Sequence, residues 1–282
     1  MRAPEPVLDG LAFPEGPRWR AGRLFFSDQH DRRVVCVEPG AGARTVVEVP
    51  GQPSGLGWLP DGRLLVVSML DRRVLRLEGT ALVEHADLSA LVTAPCNDMV
   101  VDRYGRAYVG NFGFDMYGGG AFRETNLVVV DPDGRVREAA TGLRFPNGAV
   151  LTDGGRTLVV AESMGARLAA YDVTDDGDLV HRRVWAALDG IAPDGICLDA
   201  EGAIWVADAF GRRCVRVTPG GAVLDEVSAD RGTYACTLGG ADGRTLFVCV
   251  AGSHVPDECR ARRSGAILAV EVDVPAADPP SP

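Results

Sequence analysis

Four positions in this chain carry oxygen donors of the kind a hard cation uses: Glu15, Asn97, Asn147 and Asp194. Each is the second residue of a short motif, PEGP, CNDM, PNG or PDG. Carboxylates combined with amide carbonyls suit Ca²⁺, Mg²⁺ or Mn²⁺ better than thiolate-rich or imidazole-rich sites do. Brought close together, the carboxylates repel one another unless a cation joins them. Taken singly, Asp and Asn at such places also serve as turn formers and strand caps. Glu is not a favoured turn residue, so PEGP is odd as a bare turn. Other chemistries find no support. The chain has no Lys, which removes Schiff-base and P-loop lysine chemistry. It has no GxSxG nucleophile elbow and no HExxH zinc motif. The cysteines (Cys36, Cys96, Cys197, Cys214, Cys236, Cys249 and Cys259) form no CxxC and read as small buried hydrophobes. The histidines His30, His85, His181 and His254 are scattered, with His30 and His254 placed where a loop reaches toward the same region; a surface position is the simpler reading for each.

What must position the four donors is a repeat. PEGPRWRAGRLFFSD, PSGLGWLPDGRLLVVS, CNDMVVDRYGRAYVGN, PNGAVLTDGGRTLVVAE, PDGICLDAEGAIWVAD and YACTLGGADGRTLFVCV are six copies of one unit: strand, tight Asp/Gly turn, strand. The second residues of the copies are Glu15, Ser54, Asn97, Asn147, Asp194 and Ala235, at intervals of 39, 43, 50, 47 and 41 residues. Four-stranded propeller blades need about 40 to 50 residues each. The expected fold is all-β, a six-bladed β-propeller forming a single domain over residues 1–282, with residues 5–13 and 266–274 closing the last blade and 275–282 a frayed tail. In that geometry the register residues ring one mouth of the central channel. Asp28, Ser68, Asn111, Glu162 and Asp208, at the ends of the returning strands, are expected to form a second polar tier there. Asp28 and Asp208 would orient the ligands.

Composition sets the outer bounds. A formal net charge of −10 without a basic block disfavours nucleic-acid binding. No apolar run is long enough for a membrane span or a signal peptide, so a cytoplasmic location is expected. No assembly signal is visible, and a monomer or weak homo-oligomer is expected. The longest interval holds residues 112–126, FGFDMYGGGAFRETN, read as a partly apolar lid or pocket wall.

The motifs PEGP-W with LFFSD, NDMVVDRYGRAYVGN, PNG and PDGICLDAEGAIWVAD resemble those of the senescence marker protein/gluconolactonase (regucalcin-like) family over nearly the whole chain, in order and at compatible spacing. The resemblance implies a divalent metal-dependent lactonase acting on a small-molecule lactone or ester. It implies Glu15, Asn147 and Asp194 as metal ligands, Asp194 also as general base, and Asn97 and Asp115 as substrate-binding residues. The implied cofactor is one divalent ion, Ca²⁺ first, with Zn²⁺, Mn²⁺ and Mg²⁺ as alternatives. Sugar-lactonase members carry an Arg two residues before the Asn; here Pro95 stands there. Together with the apolar lid, that points to a substrate less polar than a free sugar. A metal-dependent phosphotriesterase, a lyase or cyclase, or a non-catalytic binding platform on the same scaffold are the alternative readings.

Overall fold

A computed structural model describes residues 3–277. The described residues form six four-stranded antiparallel sheets, five of them meanders of consecutive strands. Their first strands are Pro14–Arg20, Pro53–Trp58, Cys96–Val101, Pro146–Thr152, Pro193–Leu198 and Gly232–Gly239. These six strands touch one another in sequence, and the sixth touches the first, so they ring a central axis. The architecture is a six-bladed β-propeller. The last blade is completed by the N-terminal strand Glu5–Leu11, which pairs antiparallel with Gly265–Glu271. Joining the two ends of the chain this way leaves the ring without an open seam.

The second strand of each blade lies between neighbouring sheets and is covered on both faces. Leu64–Ser68, Ala107–Asn111, Thr157–Glu162 and Ile204–Asp208 are buried along their whole length. That is why they read as unbroken apolar runs rather than as alternating strands. The apolar core is a set of layers between blades, not one central mass; Val159, Ile196 and Val206, for instance, join the fourth blade to the fifth. The seven cysteines are free and buried, as their apolar settings imply.

Two repeated features aim the register residues at the axis. The pairing of first and second strands slips in every blade, immediately after or beside the register position, for example between Pro146 and Ala149 and between Pro193 and Ile196. Such bulges bend a strand and re-aim a side chain. Glycine then follows the register residue where the next blade comes closest. A Cβ on Gly148 would stand 2.6 Å from the Ile196 nitrogen, and one on Gly195 would stand 2.5 Å from the Ala235 Cα. Only glycine lets those backbones meet.

The tail differs from expectation over its described part. Ala276 bridges to Asp199, the Ala200 N–H donates to the Pro275 carbonyl, and the Ala277 N–H donates to Leu198. Backbone pairing docks residues 275–277 against the fifth blade, where composition alone suggested fraying. Residues 278–282 lie outside the described residues.

Candidate active site at the channel mouth

Glu15, Asn97, Asn147 and Asp194 line one cavity at one end of the channel. Each side chain belongs to a different blade and is buried. The Gly16 N–H donates to Glu15 Oε2 at 2.8 Å. Asn97 Nδ2 donates to the Pro146 carbonyl at 3.2 Å, and Asn147 Nδ2 donates to Ser163 Oγ at 3.3 Å. Ser163 in turn donates to the Pro193 carbonyl at 2.6 Å. Each amide nitrogen thus has an acceptor on the protein, and no hydrogen bond within the protein is shown to either carbonyl oxygen, the end a cation would use. Asp194 Oδ1 is buried with no hydrogen-bond partner. An unpartnered buried carboxylate oxygen costs several kcal/mol unless something supplies the missing charge.

Electrostatics point the same way. Burial pushes the Glu15 carboxyl well above the usual carboxylate range, and the negative charges of Asp194 and Asp98 push it further. Burial likewise raises Asp194, with Asp98 adding to it; a hydrogen bond from Asn147 opposes the rise. Asp98, adjacent to Asn97, is itself raised by burial. It accepts from Arg18 at 2.7 Å. The same guanidinium donates to the carbonyls of Met99, Leu56 and Pro17 at 2.7, 3.1 and 2.9 Å. Arg18 is therefore committed to Asp98 and to the backbones of the first three blades. Its charge is only the smallest of the influences on Glu15.

These residues fit a hard divalent cation: two carboxylates without a guanidinium partner, two amide oxygens, and an orphaned buried oxygen among them. Among the described residues no group of three or more His, Cys, Asp or Glu side chains is arranged to hold an ion. The donor set is accordingly mixed, carboxylate with amide.

The second tier is not where the spacing suggested. Asp28 Oδ1 accepts the Ala12 and Phe13 N–H groups, both at 3.0 Å, and Oδ2 pairs with Arg33. Glu162 accepts the Arg144 N–H and pairs with Arg167 and Arg182. Asp208 accepts the Ala192 N–H and pairs with Arg213. Each carboxylate fastens the chain entering its own blade to an Arg five residues further on. None lines the cavity, and neither Asp28 nor Asp208 orients the four donors. Asn111 is also turned into its own blade, accepting from Gly113 N–H and Thr125 Oγ1. Asp115 is not brought to the cavity either. Its side chain is exposed and folds back to accept the Gly118 N–H at 2.8 Å, closing the 115–118 turn.

The walls contain residues that the repeat did not flag. Phe13, Phe112, Phe145, Phe210, Tyr117 and Tyr234 all face the cavity. Phe112 stacks on Phe145 with ring centroids 4.7 Å apart, and Phe13 meets Tyr234 at 4.6 Å. From the 112–126 segment, Phe112, Met116 and Tyr117 line the cavity, while 118–124 are exposed and stand outside it. Tyr117, from the third blade, donates to the His254 carbonyl in the sixth at 3.2 Å, reaching across to the opposite side of the ring. His30, expected on the surface, is buried behind this contact. Gln52 Nε2 bonds to its Nδ1 at 2.9 Å and His30 Nε2 bonds to the same His254 carbonyl at 3.2 Å, so the neutral ring carries its proton on Nε2. Burial lowers its pKa to about 4. The carbonyl acceptor and the burial were invisible in sequence because both depend on the insertion before the helix Pro256–Arg262.

Fold and donor set together define a class: a six-bladed propeller with an oxygen-donor site at one mouth of its channel. Residues 13–252 match the family described as the SMP-30/Gluconolactonase/LRE-like region, and the chain belongs to that family. Over 274 residues it is 27% identical to a pentonolactonase of Haloferax volcanii, covering 92% of this chain and 90% of that protein. It is also 27% identical over 274 residues to a 6-deoxy-6-sulfogluconolactonase of Pseudomonas putida, covering 93% and 91%. Among solved structures, a calcium-binding regucalcin from Agrobacterium tumefaciens superposes with a TM-score of 0.82 at 20% identity, covering 96% of this chain and 95% of that one. Among the described residues no helix is long and apolar enough to cross a membrane.

Proposed function

We propose that this chain is a divalent-metal-dependent lactonase, opening a small cyclic ester with water to give the open-chain hydroxy acid. The relatives named as lactonases support the reaction class. The observation that carries the site assignment is the buried, unpartnered Asp194 Oδ1 in one cavity with Glu15, a carboxyl raised first by burial and then by the charges of Asp194 and Asp98. Glu15, Asn147 and Asp194 would hold the ion, and Ca²⁺ is the ion expected first. When bound, the cation supplies positive charge that polarises the ester carbonyl and stabilises the oxyanion formed on it.

The remaining work falls to side chains. Asp194 takes a proton from the attacking water as the new C–O bond forms, and returns it to the ring oxygen as the old C–O bond breaks. The Asn97 carbonyl oxygen, left free by the bond from its Nδ2 to Pro146, contacts the substrate. Tyr117 and the aromatic walls limit water to what the reaction consumes. The test is hydrolysis of a lactone panel by wild type and Asp194→Asn. Loss of turnover with circular dichroism unchanged supports the assignment; near-normal turnover in the variant removes Asp194 from the chemistry.

A further inference from the structure

The same cavity carries information about what its substrate looks like. Its polar groups are concentrated among the four donors. Elsewhere the wall is built from the six aromatic rings already named, with Met116, Met164, Ala192 and Ala209 between them. The polar groups outside the donor set are the side chains of Gln29, Ser163 and His254 and the hydroxyls of Tyr117 and Tyr234, and the Tyr117 hydroxyl is spent on the His254 carbonyl. Ser163 is already engaged, donating to the Pro193 carbonyl and accepting from Asn147. Among the described residues no Arg lines the cavity. A polyhydroxylated lactone brings several hydroxyl groups, each of which must exchange water for a donor and an acceptor on the protein. This wall offers few, and a hydroxyl buried without a partner is penalised.

The apolar surface also has a direction. Tyr117 bridges the mouth between the third and sixth blades. On the fourth and fifth blades the lip is formed by Met164 and Phe210, which line the cavity yet remain 44% and 72% exposed. Met164 follows Glu162 and Phe210 follows Asp208, so the two occupy similar turns on adjacent blades. An exposed Phe and an exposed Met flanking one cavity make an apolar exit from a polar floor.

We propose that the substrate is a lactone bearing an unbranched alkyl arm: the ring ester sits over Asp194 and Glu15, and the arm leaves between Met164 and Phe210. This rests on the lactonase reading for the reaction, but the preference for an apolar arm stands on the wall alone. The test uses saturated γ- and δ-lactones with ring substituents from methyl to nonyl, alongside glucono-δ-lactone and a pentono-γ-lactone. For the alkyl series, kcat/KM rises by about fourfold per added methylene until the arm reaches the lip. The sugar lactones fall about 100-fold or more below the best alkyl lactone, as expected where several hydroxyls go unpaired. Phe210→Ser and Met164→Ser flatten the rise with chain length. A flat or falling series, with sugar lactones turned over faster, overturns the proposal. Thermal-shift and tyrosine-fluorescence titrations with the same compounds separate the two readings. Tighter binding of long alkyl lactones without turnover of any lactone keeps the apolar arm and discards the lactonase. Tighter binding of the sugar lactones discards the arm, whatever the turnover.

Discussion

Two sets of carboxylates arise from the same repeat and meet opposite fates. Glu15 and Asp194 stand at the start of inner strands; Asp28, Glu162 and Asp208 stand at the ends of the returning strands. Each member of the second set has an Arg five residues on, and each is held by that Arg and by backbone N–H groups. Strong donors offset the burial of Glu162, whose pKa is lowered by Arg167, the Arg144 N–H and Arg182 despite desolvation. Glu15 and Asp194 have no Arg partner, and burial raises both; it raises Asp28 as well, so the sets differ in counter-charge rather than in the direction of every shift. A carboxylate neutralised within its own repeat is a fastener. One left without a counter-charge is an invitation to a ligand that brings the charge.

The sharpest way to break this contrast is at the proposed base. Asp194→Asn keeps size and shape but removes the proton acceptor, and kcat on a turned-over lactone drops by about 10² to 10⁴. The corresponding change in the other set, Asp208→Asn, leaves far more activity; equal losses in single-turnover kinetics would erase the distinction.

Stability separates the sets in the opposite sense. In chelator, Glu162→Gln takes the buried negative charge from Arg167 and Arg182 and turns an amide NH2 toward one of the donors that Glu162 accepts from. Discounted for the partial exposure of both guanidinium groups, the cost is about 2 kcal/mol in urea unfolding. Asp194→Asn under the same conditions is as stable as wild type or more so, because it relieves a buried carboxylate with no counter-charge and one unpartnered oxygen. A destabilised Asp194→Asn in chelator would mean that the inner carboxylates already have partners.

Asp98 joins features of both sets, lying beside the site yet paired with Arg18. Arg18→Met strands it, lowering stability by about 1 to 2 kcal/mol, and adding Asp98→Asn restores the part due to the stranded charge but not the part due to the carbonyls that Arg18 also served. Additive losses in the double variant would show the pair to be incidental.

The remaining effect, at His30, is seen only as a dependence on pH. The unfolded ring titrates near 6.5 and the folded one near 4. Between those values the unfolded chain binds more protons, so stability falls as pH drops from about 6.5 toward 4. His30→Gln has a shallower loss over that window in denaturant titrations at stepped pH; identical slopes would place the acid sensitivity elsewhere.

Much of this was legible in sequence because the repeat speaks through residue types. Glycine and Asp turns at even spacing gave six blades, and the inner donors stood out because Glu, Asn and Asp recur at one register position. The bulge beside that position was not legible, since it depends on how two strands slip. The fastening role of Asp28, Glu162 and Asp208 had a readable signal in Arg33, Arg167 and Arg213, each five residues later, but spacing alone does not say which way a strand end points. Arg18 with Asp98, and Tyr117 with His254, pair residues 80 and 137 positions apart on different blades. No local pattern announces such pairs. Asp115 was misplaced because counting along a loop ignores how its turn closes.

The central claim is that Glu15, Asn147 and Asp194 hold a divalent ion, and equilibrium dialysis against radioactive Ca²⁺ tests it most directly. Chelator-stripped wild type should take up one ion per chain, while Glu15→Gln and Asp194→Asn take up almost none. Uptake that is absent from wild type across Ca²⁺, Mg²⁺, Mn²⁺ and Zn²⁺, or unchanged in both variants, would contradict it.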